Sequence, residues 1–307
     1  MADSIGSPRL WAGFIGLVLG LLVLDLRVVH RRAHAVGLRE ALGWSVAWVA
    51  MSLVFGAGVW VRFGHQAGLE FLTGYVIEKA LSVDNLFVFA VIFSSFGVPA
   101  AYQHRVLFWG ILGALVMRAV FILAGAALLA RFHFVFFLFG GFLVLTGIRI
   151  LFTRPEIPHP ERHPAVRLFR RLVPMTADYR GTRFLVRDGA RWLATPLLLV
   201  LLVVEATDVI FAVDSIPAVF AVTRDPFIVF TSNICAILGL RALYFLIAGL
   251  IDRFRYLKVG LGLALVFVGV KMLLSDVYHI SIDASLGVIA LLIGGSIAAS
   301  LWRPTGR

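Results

Sequence analysis

Five carboxylates, Glu78, Asp84, Glu205, Asp208 and Asp214, stand inside long apolar runs of this 307-residue chain. An ionised carboxylate at the centre of a bilayer costs about 2.5–3.5 kcal/mol on insertion scales, so such a residue reads first as a functional one. Carboxylates at that depth suit hard cations, because oxygen donors can replace the hydration shell of Mg²⁺, Mn²⁺ or Ca²⁺. The softer metal ligands lie elsewhere. All eight histidines fall in loops or at segment ends, and Cys235 is the single cysteine, which excludes a disulfide scaffold and multi-thiolate chemistry within one chain. The competing reading is structural pairing of the acids with Lys79, Arg118 or Arg241. Five acids against three bases leave a formal excess of two negative charges, which would match one divalent cation.

The acids belong to an internal repeat. Glu78-Lys-Ala-Leu-Ser-Val-Asp84-Asn85 matches Asp208-Val-Ile-Phe-Ala-Val-Asp214-Ser215. Ile111-Leu112-Gly113, Arg118-Ala119 and Gly125 match Ile237-Leu238-Gly239, Arg241-Ala242 and Gly249, and Gly147-Ile148-Arg149 matches Gly269-Val270-Lys271. Within each motif the two acids are six residues apart, which places them about 120° apart around a regular helix. One straight helix would not aim both at one ion. With Pro217 close after Asp214 and Gly74 before Glu78, discontinuous helices are expected, whose freed carbonyls join Asn85 and Ser215 as further oxygen donors. For Asn85 and Ser215 the plainer reading is helix-helix hydrogen bonding. Arg118 and Arg241 would neutralise the site when the ion leaves, or pair structurally with the acids.

The elements that carry these residues follow from composition. With 61% hydrophobic and 15% charged residues, the chain must use lipid as solvent. Nine runs are long enough to cross a bilayer: Trp11–Val29, Ala41–Val61, Leu69–Phe96, Val106–Ala130, Phe132–Phe152, Thr195–Val222, Phe227–Ile251, Leu257–Ser275 and Ala284–Trp302. They are continuous rather than alternating, so the fold class is all-α: a polytopic membrane protein with two inverted three-helix repeats. Residues 1–66 hold two peripheral helices, 67–152 the first repeat, 153–194 an Arg-rich linker read as a charged anchor with a surface helix, 195–275 the second repeat, and 276–307 the last helix and tail. Each repeat has an odd number of helices, so the copies enter the membrane from opposite sides, with the substrate site near the midplane.

Charge sets the orientation. With the N-terminus outside, inside segments carry 19 of the 28 Lys and Arg residues, outside segments four, and the spans five. Positive loops stay cytoplasmic, so the reading is N-out and C-in, and the net charge of +11 needs no nucleic-acid partner. The first run is read as a retained helix, because its cluster Arg27, Arg31 and Arg32 follows the run rather than preceding it. Asp25, Arg149 and Lys271 lie toward segment ends, where snorkelling is the default.

The motif at 78–89, Val204-Glu-Ala-Thr-Asp-Val-Ile-Phe-Ala-Val-Asp-Ser-Ile-Pro-Ala218 and Gly239-Leu-Arg-Ala-Leu-Tyr-Phe245 resemble the signatures of the TerC/Alx family of bacterial membrane proteins, and the resemblance extends over nearly the whole chain. It implies Mn²⁺ export, as in the Alx branch, and a tellurium-resistance association, as in the TerC branch. It carries the family's acidic residues onto Glu78, Asp84, Glu205, Asp208 and Asp214. The expected function is therefore a secondary transporter of the bacterial cytoplasmic membrane that exports a divalent cation, Mn²⁺ ahead of Ca²⁺ or Mg²⁺, by proton antiport through those acids. Its partners are the ion and lipid. No enzyme activity and no cofactor is expected, and no nucleotide-binding motif marks a primary pump. The alternative is a non-transporting membrane assembly component tied to tellurium or metal stress.

Overall fold

The computed structural model describes residues 4–29, 37–152, 171, 173–189, 191–247, 256–278 and 280–302; the side chains of residues 25–29, 84, 87 and 301 lie outside that description. Its elements are α1 (Pro8–Val29), α2 (Leu38–Phe63), α3 (His65–Ser95), α4 (Ala100–Arg131), α5 (Phe134–Phe152), β1 (Leu185–Asp188), β2 (Arg191–Ala194), α6 (Pro196–Phe220), α7 (Pro226–Ile237), α8 (Leu240–Ile247), α9 (Leu257–Leu273) and α10 (Ile282–Trp302). The chain is an all-α polytopic membrane protein. Helices prevail because lipid offers no partner for backbone N–H and C=O groups, so each apolar run must satisfy its own. Their outward faces are apolar, as at Val54, Leu145, Ile210 and Leu291.

Five helices, α2, α4, α5, α6 and α10, are long and apolar enough by themselves to cross a membrane, and α7 with α8 makes a sixth if the bent pair is one span. The remaining runs are also helical. α1 is apolar over Pro8–Leu24, α9 is 17 residues long, and α3 carries Glu70, Glu78, Lys79 and Asp84 along its length.

The expected breaks in the third and sixth runs do not occur: α3 and α6 are each continuous. Gly74 instead permits close approach, since a Cβ there would lie 2.8 Å from Ser232 Oγ and 3.1 Å from Val219 Cγ1. Pro217 falls in the last turn of α6, where its missing N–H deprives only the Val213 carbonyl of a donor. The break lies in the seventh run. There α7 and α8 meet at 40° across Leu238 and Gly239. Gly239 has φ +85°, in the left-handed region that favours glycine, and a Cβ on it would stand 2.6 Å from Trp48 Cβ.

Most of the linker's expected surface helix falls on residues 153–170, outside the described residues. Its described part contains an antiparallel hairpin pairing Leu185 with Ala194 and Asp188 with Arg191. The segment docks on the α3–α4 turn. Tyr179 donates to the Phe96 carbonyl at 2.8 Å, and Arg105 donates to Thr182 at 3.1 Å while its guanidinium lies 5.3 Å from the Phe184 ring. At the opposite ends of the helices, Gln66, Glu70, Arg224, Lys271, Ser275 and Asp283 line a cavity of about 460 Å³.

Helices α5 and α9 pack backbone to backbone through four glycines. A Cβ on Gly269 would lie 2.7 Å from the Gly140 carbonyl oxygen, and one on Gly147 would lie 2.7 Å from that of Gly262. In the repeat register Gly140 corresponds to Gly262 and Gly147 to Gly269, so each glycine meets the counterpart of the other. Gly269→Ala should therefore destabilise the fold by about 1–3 kcal/mol through overpacking against rigid backbone. Gly141→Ala should be close to neutral, because nothing lies within 4 Å of its added Cβ. Thermal unfolding of the two variants in detergent micelles checks this, and equal midpoints would contradict it.

Candidate functional site

On α3, Glu78, Ser82 and Asn85 fall at i, i+4 and i+7, a spacing that stacks them on one stripe of a helix. Asp208, Ala212 and Ser215 make the corresponding stripe of α6. All six are buried. Between the stripes, α4 inserts Arg118, which is fully buried. One guanidinium nitrogen, Nη1, pairs with Glu78 Oε1 and also donates to Asn233 Oδ1 at 3.1 Å and to Ser215 Oγ at 3.3 Å. The other, Nη2, stands 3.6 Å from Asp208 Oδ1. Asn233, from α7, donates its amide to Glu78 Oε2 at 2.9 Å, and Ser82 donates to Glu78 Oε1 at 3.4 Å.

The centre is thus a positive charge from α4 held by oxygens from three other helices, α3, α6 and α7. A charge removed from water this completely is tolerated only when paired and hydrogen-bonded, and Glu78 supplies most of that pairing. The Asp208 side is looser. Among the described residues, Arg118 Nε and Nη2 and Asp208 Oδ2 are buried without a hydrogen-bond partner, and each such group carries a desolvation cost of about 1–3 kcal/mol. The pocket binds a cation tightly on one side and holds uncommitted carboxylate on the other.

The other sequence-selected acids lie around this centre. Glu205 is half-buried on α6, three residues before Asp208, and its carboxylate lies against Gly113 of α4, filling the space that a Cβ there would need. Asp214 is half-buried and accepts a 3.4 Å hydrogen bond from Thr146 of α5. Asp84 belongs to α3, and its side chain lies outside the described residues. Among the described residues no three His, Cys, Asp or Glu side chains stand close enough together to hold a metal ion. The structure therefore brings Glu78 and Asp208 together around Arg118, and leaves Glu205 and Asp214 on separate helix contacts.

The integral membrane protein TerC family model matches residues 63–306. The chain belongs to this family. A membrane protein of Myxococcus xanthus is 58% identical to it over 97% of this chain and 93% of its own length. Proteins of Salmonella typhi and Escherichia coli named as the membrane-bound redox modulator Alx are each 47% identical over 98% of this chain and 96% of theirs. No solved structure matches the chain.

The two other bases singled out in the sequence of this TerC-family chain, Lys79 and Arg241, have contacts of their own. Lys79 donates to the Ala236 carbonyl at 3.0 Å, at the carbonyl end of α7, where a cation is favourable. Arg241 is buried beside the bend, in a small cavity lined by Glu40, Trp44 and Trp48. Asn85 is buried. Sequence reasoning passed over Asn233 and Ser82. Asn233 had a signal, the polar triplet Thr231-Ser232-Asn233 inside an apolar run, whereas Ser82 stands out only once Glu78 is known to need a donor.

Proposed function

We propose that this TerC-family protein is a secondary transporter that exports a divalent cation, Mn²⁺ foremost, from the bacterial cytoplasm, with protons moving in the opposite direction. The observation that carries this reading is the buried Arg118 among Glu78, Asp208, Asn233 and Ser215. That is an oxygen-lined cation site filled by a tethered charge. A transport site must be as stable empty as loaded, and a built-in guanidinium keeps the acids neutralised between ions. The ion displaces Arg118, taking oxygens from Glu78, Asp208 and Ser215, with Asn85 adjoining on the α3 stripe. Asp84, Glu205 and Asp214 supply carboxylates along the path, where exchange of metal for protons couples the two flows. The two three-helix units act as inverted repeats, a reading supported by the glycine exchange between α5 and α9. No catalytic chemistry is assigned.

Reconstituted into liposomes with a proton gradient, the protein should move Mn²⁺ against its concentration gradient, and an absence of metal-dependent flux would reject transport. The full burial of the Arg118–Glu78 pair favours a second reading, in which these residues are scaffold of a non-transporting assembly component, and the same assay decides between them. The redox name of the Alx relatives fits an effect exerted through the carried ion, since thiol exchange within one chain needs a second cysteine beside the buried Cys235. For orientation, a reporter fused after Arg170 should be cytoplasmic and one after Asp225 extracytoplasmic. Both on one side would defeat the inverted topology.

A further inference from the structure

We infer that the cavity of about 460 Å³ lined by Glu70, Arg224, Lys271 and Asp283 is the chamber through which the exported cation leaves, and that one apolar layer between it and Asp214 is the gate. The inference rests on the transport reading above and adds an exit to it. It starts where α5 meets α6, at the hydrogen bond from Thr146 to Asp214. From that contact both helices lead to the cavity. Leu143 stands three residues before Thr146 on α5, and Ala218 four residues after Asp214 on α6, about one turn along each helix. Phe136 lies about two turns beyond Leu143 and Ala221 about one turn beyond Ala218, and both line the cavity. Leu143 and Ala218 pack with Ile77, Leu265, Val268 and Met272 in one buried cluster, each at most 4% exposed. Asp214 and Ala221 are seven residues apart, so the layer is about 10 Å deep.

The side chains of this layer offer a charge no donor, so a cation crosses only when the layer parts. The four glycines that join α5 to α9 show where it parts. They seat the two backbones against each other at Gly140 and Gly269 and again at Gly147 and Gly262, which fixes that pair and leaves α6 as the helix that moves away. Beyond the layer the chemistry changes. Two carboxylates, Glu70 and Asp283, face two bases, Arg224 and Lys271, so the lining has no formal net charge and does not retain a cation. Glu70 accepts from Gln66 at 3.0 Å, and Lys271 donates to Ser285 at 2.8 Å. Ser275 Oγ, also in the lining, is buried without a hydrogen-bond partner among the described residues, and water in the cavity would supply one. At about 30 Å³ per molecule the space takes on the order of fifteen waters, more than the octahedral shell of a hydrated divalent cation needs. The ion thus exchanges carboxylate oxygens for water in a neutral chamber, which favours release over rebinding.

The test is thiol labelling of right-side-out membrane vesicles with a membrane-impermeant charged reagent, in a Cys235→Ser background without added metal. Ser275→Cys, in the cavity, should react at least about tenfold faster than Thr146→Cys, behind the layer, because the reagent is a charge that the layer excludes. Adding Leu143→Ala to Thr146→Cys opens a gap in the layer without touching the Arg118 centre and should remove most of that protection. Leu145→Ala, on the outward face of the same helix, should leave it intact. Equal labelling of Ser275→Cys and Thr146→Cys would overturn the inference, and that comparison stands whatever the alanine variants do. So would a Ser275→Cys that reacts only in inverted vesicles, or continued protection of Thr146→Cys in folded Leu143→Ala. If Leu143→Ala does not fold, Met272→Ala makes the same gap from α9 and is read in its place. Loading the vesicles with Mn²⁺ should speed labelling of Thr146→Cys in the intact layer, since export parts it. Mn²⁺ flux with Thr146→Cys still protected removes only this exit. The expected labelling contrast in a protein without flux removes the transport reading, and the exit with it.

Discussion

Glu78→Gln should lower the stability of the folded protein by about 3–5 kcal/mol, the usual result of stranding one partner of a buried ion pair. The substitution keeps the shape of the side chain but leaves one acceptor where there were two, so the loss combines the charge with the hydrogen bond from either Asn233 or Ser82. Arg118 is fully buried and always protonated, and its other carboxylate is 3.6 Å away without a hydrogen bond. Neither deprotonation nor exposure offers it relief. Removing both charges in Glu78→Gln/Arg118→Gln should recover most of the stability, which gives a large favourable coupling in a double-mutant cycle. Denaturant titration of the purified variants in mixed micelles measures it. A Glu78→Gln variant as stable as the parent would mean that the pair contributes nothing to the fold, and with it would go the view of Arg118 as the charge that keeps the site stable between ions.

Asp214→Asn should do the opposite, folding normally while export per folded molecule falls at least about tenfold, because a hard cation loses a charged oxygen ligand. Asp214 is only half-buried, makes no ion pair within 4 Å among the described residues, and accepts one long hydrogen bond from Thr146 that an asparagine oxygen can also accept. Little in its folded surroundings depends on the negative charge. Asp84→Asn should behave alike, since Asp84 occupies the matching position of the other repeat. The measurement is Mn²⁺ flux normalised to folded protein, read beside Glu78→Gln as the contrasting case. Normal flux for both aspartate variants would remove them from the ion path and confine binding to the Arg118 centre.

What the amino-acid order determined by itself was an all-α polytopic membrane protein, with a handful of carboxylates conspicuous inside its apolar runs. Lipid leaves the backbone no partner but itself, so an apolar run of sufficient length has one structural outcome whatever its neighbours do. A carboxylate in such a run is conspicuous because its cost is local. The pairing of those residues is not local. Arg118 and Arg241 have the same chemistry and the same following alanine, yet one is enclosed by Glu78 and Asp208 and the other lies in a cavity beside Glu40 and Trp48. Helix propensity likewise misplaced the breaks. Gly74 and Pro217 pointed to α3 and α6, but packing against Ser232 and Val219 and a position in the last turn left both helices whole, while Gly239 turned the chain where Trp48 fills the space. Only the tertiary structure decided that Asn233 and Ser82 complete the Glu78 shell and that Glu205 and Asp214 face other helices. The reason is geometric: a helix places its side chains around a full circle, and which of them meet depends on how four helices are rotated against one another, which no single stretch of sequence specifies.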